Sequence, residues 1–286
     1  MSQPTPRPSP PGGSTEAAGP APARPARTPW TTRTWVVLAL VGAVGGLLSG
    51  AFGVGGGIIM VPLLLTFAGM DQRRAATTSL AAIIPTAVAG GATYLANGEI
   101  DVPVAALVAF GGIVGSYVGA RVLRRISLGW LRWSFVALLL GVAARLLLIA
   151  PERGVEVDID ARVALALVGT GLVMGVASGL FGIGGGVFLV PILISVFGAS
   201  DLSAKGTSLL VVLATSVVGT VTNLRGGMVD LRAGAVVGLA ATLTSFAGVA
   251  LAFALPPRLS GVLFAVLLVF SAVQIALRAR RARRAA

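Results

Sequence analysis

Twelve residues, GLLSGAFGVGGG from Gly46, return as GVASGLFGIGGG from Gly175, 129 positions later and with 8 of the 12 identical. The same offset, without a gap, pairs Pro62 with Pro191, Thr78 and Ser79 with Thr207 and Ser208, Gly98 with Gly227, Asp101 with Asp230, and Gly119 with Gly248. A register held over that length marks a duplication. Each copy of the glycine run interrupts an apolar stretch, 34–69 or 163–198, longer than the ~20 residues a helix needs to cross ~30 Å of hydrocarbon. Other apolar blocks lie at 75–96, 102–123, 128–150, 206–224, 233–255 and 259–277. The expected fold is therefore an all-α polytopic membrane protein. It has two homologous four-block halves, each opening with a glycine-broken or re-entrant helix pair, and about eight transmembrane segments in all.

Composition agrees: 56% of the residues are hydrophobic and 11% charged, far from the usage of a soluble domain. The net charge of +12 resides in tails and short connections around apolar blocks, which is a topology signal rather than a nucleic-acid footprint. Cysteine and histidine are absent, so no disulfide, thiolate metal site or imidazole relay is available, and neither a metal nor a cofactor is expected. The expected organisation is a disordered tail at 1–33, a first transmembrane repeat at 34–150, an acidic loop at 151–162, a second repeat at 163–277 and a basic tail at 278–286. The stretch from Trp35 begins too late and runs too long for a cleaved signal peptide.

Charge discriminates between two topologies. If every block crosses once, five Lys/Arg of the connections face inward and eight outward; if blocks one and five turn back at their glycines, eight face inward and five outward. The positive-inside rule selects the second, which puts both tails on the cytoplasmic side of the inner membrane and makes the halves inverted repeats. Trp30, Trp35, Trp130 and Trp133 then fall near the inner interface. Inverted repeats with broken helices are characteristic of secondary transporters, whose sites lie near the midplane.

The glycine run itself is not a nucleotide loop. A dinucleotide fingerprint needs glycine where Ile58 and Val187 stand, and a P-loop needs Gly-Lys-Ser/Thr after the run. A serine protease of the Ser-His kind is excluded by the lack of histidine, and no enzyme activity is expected. Glycine permits sharp turns and exposes backbone N–H groups, which in lipid are tolerated only under a cover of protein or in a wet cavity. Such amides and half-helix N-termini favour an anion. The candidate path-lining glycines are Gly53, Gly55, Gly56 and Gly57, with Gly182, Gly184, Gly185 and Gly186. Close helix packing is the competing reading, and it is the preferred one for Gly111, Gly115 and Gly119.

Hydroxyls that could serve as neutral donors are Ser49, Ser178, Thr78, Ser79, Thr207 and Ser208; for the last four, capping of a nearby helix start is the alternative. Lys205, the sole lysine, could attract an anion or snorkel to the interface. Asn223, matched by Tyr94, faces a partner helix or a cavity. Asp101 and Asp230 begin blocks and read as helix caps. Arg145 reads as snorkelling.

The duplicated Gly-x-x-Ser-Gly-x-Phe-Gly-x-Gly-Gly-Gly followed by Val-Pro, at 46–62 and 175–191, resembles the TauE/SafE family of sulfite exporters, and KGTSL at 205–209 is similar to that family's second-half motif. The resemblance covers about residues 35–278. It implies an inner-membrane permease for a small sulfur-containing anion such as sulfite or an organosulfonate, embedded in the lipid bilayer, without nucleic acid partners. Import of an organosulfonate or small organic acid, a non-transporting scaffold or sensor, and a channel are the competing readings. Oligomeric state, substrate and direction stay open. The first-half counterpart ATTSL, at 76–80, lacks the lysine.

Overall fold

The computed structural model describes residues 31–148 and 158–284. The tail up to Trp30, most of the acidic loop and the last two residues lie outside the described residues. Ten helices and no strand are found among the described residues: α1 Thr32–Phe52, α2 Gly57–Phe67, α3 Gln72–Ala96, α4 Val102–Leu123, α5 Leu128–Leu148, α6 Ala161–Phe181, α7 Gly186–Ser195, α8 Asp201–Leu224, α9 Leu231–Ala254 and α10 Pro257–Arg284. Each helix of the first five starts 129 residues before its counterpart in the second five. All ten positive-φ glycines among the described residues fall into five pairs at that same interval.

Caps explain the boundaries. Thr31, Asp71, Asp101, Asp160, Ser200 and Asp230 each accept, through the side chain, a backbone N–H three residues on, and so start α1, α3, α4, α6, α8 and α9. Asp101 and Asp230 are thus the caps that their positions suggested. Gly53 and Gly182 end α1 and α6 in the left-handed region, at φ 68° and 72°. Each long block is therefore a full helix followed by a half-helix. Seven helices, α1, α3, α4, α6, α8, α9 and α10 up to Leu277, are long and apolar enough to cross a membrane; α5 matches them in length, whereas α2 and α7 have 11 and 10 residues. At 1.5 Å per residue, the half-helices reach about half-way through the hydrocarbon. The last helix continues to Arg284, so the basic C-terminal stretch is a helical extension of α10, not a separate tail.

Glycine contacts fix the helix directions. The backbone of α1 lies against α9 in rising register, Gly42 on Val237, Gly46 on Ala241 and Gly50 on Ser245. A Cβ on Gly46 would lie 2.0 Å from the Ala241 carbonyl oxygen. Helices α3 and α9 also rise together, with Gly234 beside Ala81 and Gly238 beside Pro85. Since α1 and α3 both run with α9, the chain between them must return, and α2 makes that return. The counterparts α3 and α8 run antiparallel, with Tyr94 beside Gly206, Gly90 beside Leu209 and Leu80 beside Gly219.

In the other half α6 and α4 run together, Gly171 on Val108, Gly175 on Gly112 and Gly179 on Ser116. Gly111, Gly115 and Gly119 meet the α6 backbone, so packing is their role. The first helix of each half thus packs on the fourth helix of the other, α1 on α9 and α6 on α4, and the halves interlock. Large apolar side chains such as Leu165, Leu239, Leu243 and Val173 stay exposed on the outside, as lipid-facing surface would be.

Candidate functional site

The two glycine turns meet in the middle of the molecule. A Cβ on Gly57 would lie 2.6 Å from the Gly182 carbonyl oxygen, and one on Gly186 would lie 2.7 Å from that of Gly53 and 2.8 Å from Val54 Cα. Only glycine allows this approach, which sets the first residue of each half-helix against the opposite turn. Gly55 and Gly184 both face Val212 and Ile83, midway along α8 and α3.

Helices α2 and α7 differ from the six capped helices in one respect. Their N-caps, Gly56 and Gly185, supply no side chain, and no side-chain cap bond is formed. Backbone bonds close α1 through Gly53 N–H to Ser49 O and resume at Ile59 N–H to Gly56 O; in the second half they run from Gly182 N–H to Ser178 O and resume at Phe188 N–H to Gly185 O. Two helix N-termini, with their orphan amides and positive dipole ends, therefore point into the buried centre.

Three hydroxyls proposed from sequence lie near these turns without a partner. Ser49, Ser178 and Ser208 are fully buried, and none of their Oγ atoms has a hydrogen-bond partner. A Cβ on Gly186 would come within 2.8 Å of Ser208 Oγ, so that hydroxyl stands at the start of α7. Buried polar atoms in natural proteins are rarely left unpaired. Orphan amides and orphan hydroxyls together form a donor set suited to a small oxyanion.

Other candidates have different work. Thr78 and Thr207 do not cap their helices; Asp71 and Ser200 do that, well upstream. Instead Thr78 Oγ1 accepts the Asp230 N–H at 3.2 Å and Thr207 Oγ1 accepts the Asp101 N–H at 2.9 Å, a matched pair of ties between the halves. Ser79 Oγ donates to Ala76 O at 2.9 Å and to Gly182 O, and Thr215 Oγ1 donates to Gly184 O at 2.9 Å. The second turn is thus fastened by two hydroxyls. Their counterparts do not fasten the first: Ser208 is unpartnered, and Thr86 bonds its own helix at Ala82 O. Asn223 is buried, donates to Gly219 O at 2.8 Å, and leaves Oδ1 unpaired; its counterpart Tyr94 donates to Gly50 O at 2.9 Å.

Lys205 neither snorkels nor stands free. It is 1% exposed, its ammonium pairs with Asp201 Oδ2 at 2.6 Å one helical turn earlier, and it donates to Ser260 Oγ at 2.9 Å. It lines a cleft with Phe52, Arg145, Pro191, Asp201 and Phe264. The Arg145 guanidinium donates to Ser195 Oγ at 2.9 Å, and the rings of Phe52 and Phe264 stack at 5.0 Å. A Cβ on Gly53 would lie 2.5 Å from Lys205 Cα, so the cleft backs onto the first glycine turn. Sequence reasoning missed Asp201, Ser260, Ser195 and Thr215. Only the Asp-x-x-x-Lys spacing, which puts both groups on one helix face, carried a signal. No group of three or more metal-ligating side chains occurs among the described residues.

Known proteins share this arrangement of sequence. Residues 8–146 and 161–286 match the family described as "Sulfite exporter TauE/SafE". The chain is 26% identical over 223 residues to the "Probable membrane transporter protein YunE" of Bacillus subtilis (strain 168), covering 69% of this chain and 81% of the relative. It is 29% identical over 205 residues to a "Probable membrane transporter protein" of Xylella fastidiosa (strain 9a5c), covering 70% and 78%. A further "Probable membrane transporter protein", from Haemophilus influenzae, is 32% identical over 175 residues, covering 56% and 63%. With the family pattern spanning nearly the whole chain, the protein belongs to the TauE/SafE sulfite exporter family of membrane transporters.

Proposed function

We propose that the protein is a secondary transporter of a small sulfur-containing oxyanion, sulfite or an organosulfonate, across the cytoplasmic membrane, by alternating access around the paired glycine turns. The observation that carries this reading is the convergence of two uncapped half-helix N-termini on buried, unpartnered Ser49, Ser178 and Ser208. Amides of the turns at 53–57 and 182–186 and the three hydroxyls replace part of the anion's hydration. The N-terminal dipoles favour its charge without a buried cation at the centre.

The antiparallel counterparts α3 and α8 support an inverted repeat, the architecture in which one half can rock against the other about a central site. With basic loops and both tails inside, α8 and α10 begin at the outer face, and so does the cleft at Lys205. Export of a monovalent anion gains ~2.3 kcal/mol per 100 mV when the interior is negative, and needs no coupling ion. Uptake is the second reading, favoured by the placement of Lys205 and Arg145 at the outer mouth.

Flux tests the function. Purified protein in liposomes under an imposed potential is expected to move sulfite or methanesulfonate saturably, and to exchange them from the opposite side. Flux no greater than in empty liposomes would overturn the reading for these substrates. Non-saturable conductance without exchange would indicate a channel instead. Cysteine placed at Arg124 is expected to be protected from an impermeant outside reagent; labelling there would overturn the topology.

A further inference from the structure

The buried ion pair at the mouth of the cleft is not demanded by the fold. At the counterpart positions, 129 residues earlier, Asp201 is Gln72, Lys205 is Ala76 and Ser260 is Leu131. That half folds into the same helices with the same stacked phenylalanine pair, Phe135 on Phe181 at 5.0 Å. Removing two charges from water costs several kcal/mol per ion, and neutral packing is often the more stable choice. A charge pair in one of two otherwise matched places therefore calls for a reason other than stability.

Its geometry supplies one. The Lys205 ammonium has three N–H donors, of which Asp201 and Ser260 take two. Lys205, Asp201 and Ser260 all line the cleft, and Arg145 adds a second positive charge at its rim. The other mouth has no counterpart of this buried pair, and its neighbouring Arg73 and Arg74 are tied to Ile126 O and to Asp230. Gln72 is fully buried with neither its oxygen nor its nitrogen hydrogen-bonded, and Gln274, the counterpart of Arg145, donates to Thr66 Oγ1 at 2.9 Å and leaves its Oε1 unpaired.

We propose that the Lys205 cleft is a one-sided anion entry site, in which an incoming oxyanion and the Asp201 carboxylate compete for the same ammonium. With the anion absent, Asp201 neutralises Lys205 and keeps a lone cation from trapping ligand. With the anion present, Asp201 gives way and the anion is held beside the first glycine turn. The opposite mouth, with no buried lysine to hold it, releases it. This rests on the transporter reading, and it places the stronger capture site at one face alone.

Isothermal titration of the purified full-length chain with sulfite, and separately with methanesulfonate, tests the competition. Asp201→Asn removes the competitor and is expected to tighten binding about tenfold. The double change Asp201→Gln with Lys205→Ala copies the residues of the other mouth, leaves no orphan charge, and is expected to weaken binding at least tenfold relative to the unaltered protein. Lys205→Arg is expected to stay within a few-fold of the unaltered protein. Unchanged or weaker binding in D201N, or full affinity in the double variant, would overturn the proposal. In liposomes the failures separate: sulfite flux with unaffected binding constants would sink the entry site and leave the transporter standing. Binding that shifts as expected without any flux would do the reverse.

Discussion

The two mouths of this molecule are built to one plan and furnished differently. In the second half the mouth holds Lys205, Asp201 and Ser260, with Arg145 on Ser195 and an open cleft behind the Phe52–Phe264 stack. In the first, Ala76, Gln72 and Leu131 stand in the same places, with Gln274 on Thr66 and the stacked pair Phe135–Phe181. Helix starts, caps and left-handed glycines are duplicated, and so are the bonds from 78 and 207 to the caps of the opposite half. What the two halves share is the backbone frame. What has diverged is charge, and the number of hydroxyls that hold each turn.

Four pairs of substitutions would break or sharpen that comparison, all read as unfolding midpoints and folded yield in detergent. The largest effect belongs to the turns. Gly182→Ala forces φ 72° on a residue with a Cβ and sets that Cβ 2.1 Å from the Ala76 carbonyl oxygen, so a loss of about 4 kcal/mol is expected. Gly53→Ala meets Lys205 Cα at 2.5 Å, without a counterpart of the Ser79 bond to break, and is expected to lose less. Equal losses would show that the first turn is held as firmly as the second.

Next come the stacked rings. Phe135→Ala is expected to cost about 2 kcal/mol or more from lost packing. Phe264→Ala is expected to cost less, because its side already opens to the cleft. Equal costs would mean that the cleft gives no relief.

The caps follow. Asp101→Ala and Asp230→Ala each forfeit about 1 kcal/mol of cap energy. The Arg74–Asp230 ion pair, half-exposed on the arginine side, adds at most about 1 kcal/mol to the second. Smallest are Ser195→Ala and Thr66→Val, each expected to cost under ~1 kcal/mol. A larger loss at Ser195 would show that holding the Arg145 guanidinium in place matters to the fold as well as to the cleft.

Much of the frame was legible in the sequence because it depends on local signals that survive duplication. The glycine break at 53–57, the caps at Asp101 and Asp230, and the helical packing face at Gly111, Gly115 and Gly119 follow from residue type and spacing. The site was legible only in part. Ser49, Ser178 and Ser208, named from the sequence, lie near the turns, buried and unpaired. Thr78, Thr207 and Ser79 were indistinguishable from them in sequence, and only the approach of a helix from the opposite half decides that they are already engaged. Arg145 and Ser195, fifty positions apart, are joined by tertiary packing that no periodicity announces. The C-terminal arginines read as a tail because their charge ends the apolar run, yet nothing in LRARRARR breaks a helix, and the helix continues through Arg284.

The interlocking of α1 with α9 and of α6 with α4 also has a meaning in time. Helix α1 leaves the ribosome well before α9 and presents Gly42, Gly46 and Gly50, a backbone face whose nearest neighbours in the finished fold include Val237, Ala241 and Ser245, among the later residues to be made. Until they arrive, α1 must wait in the bilayer with that face against lipid or a chaperone, while α6 finds α4 already in place. Neither half can then complete its fold alone. Two halves expressed as separate chains should recover structure only together, and a chain stalled before α9 should be recognised as unfinished by the cell's membrane quality control.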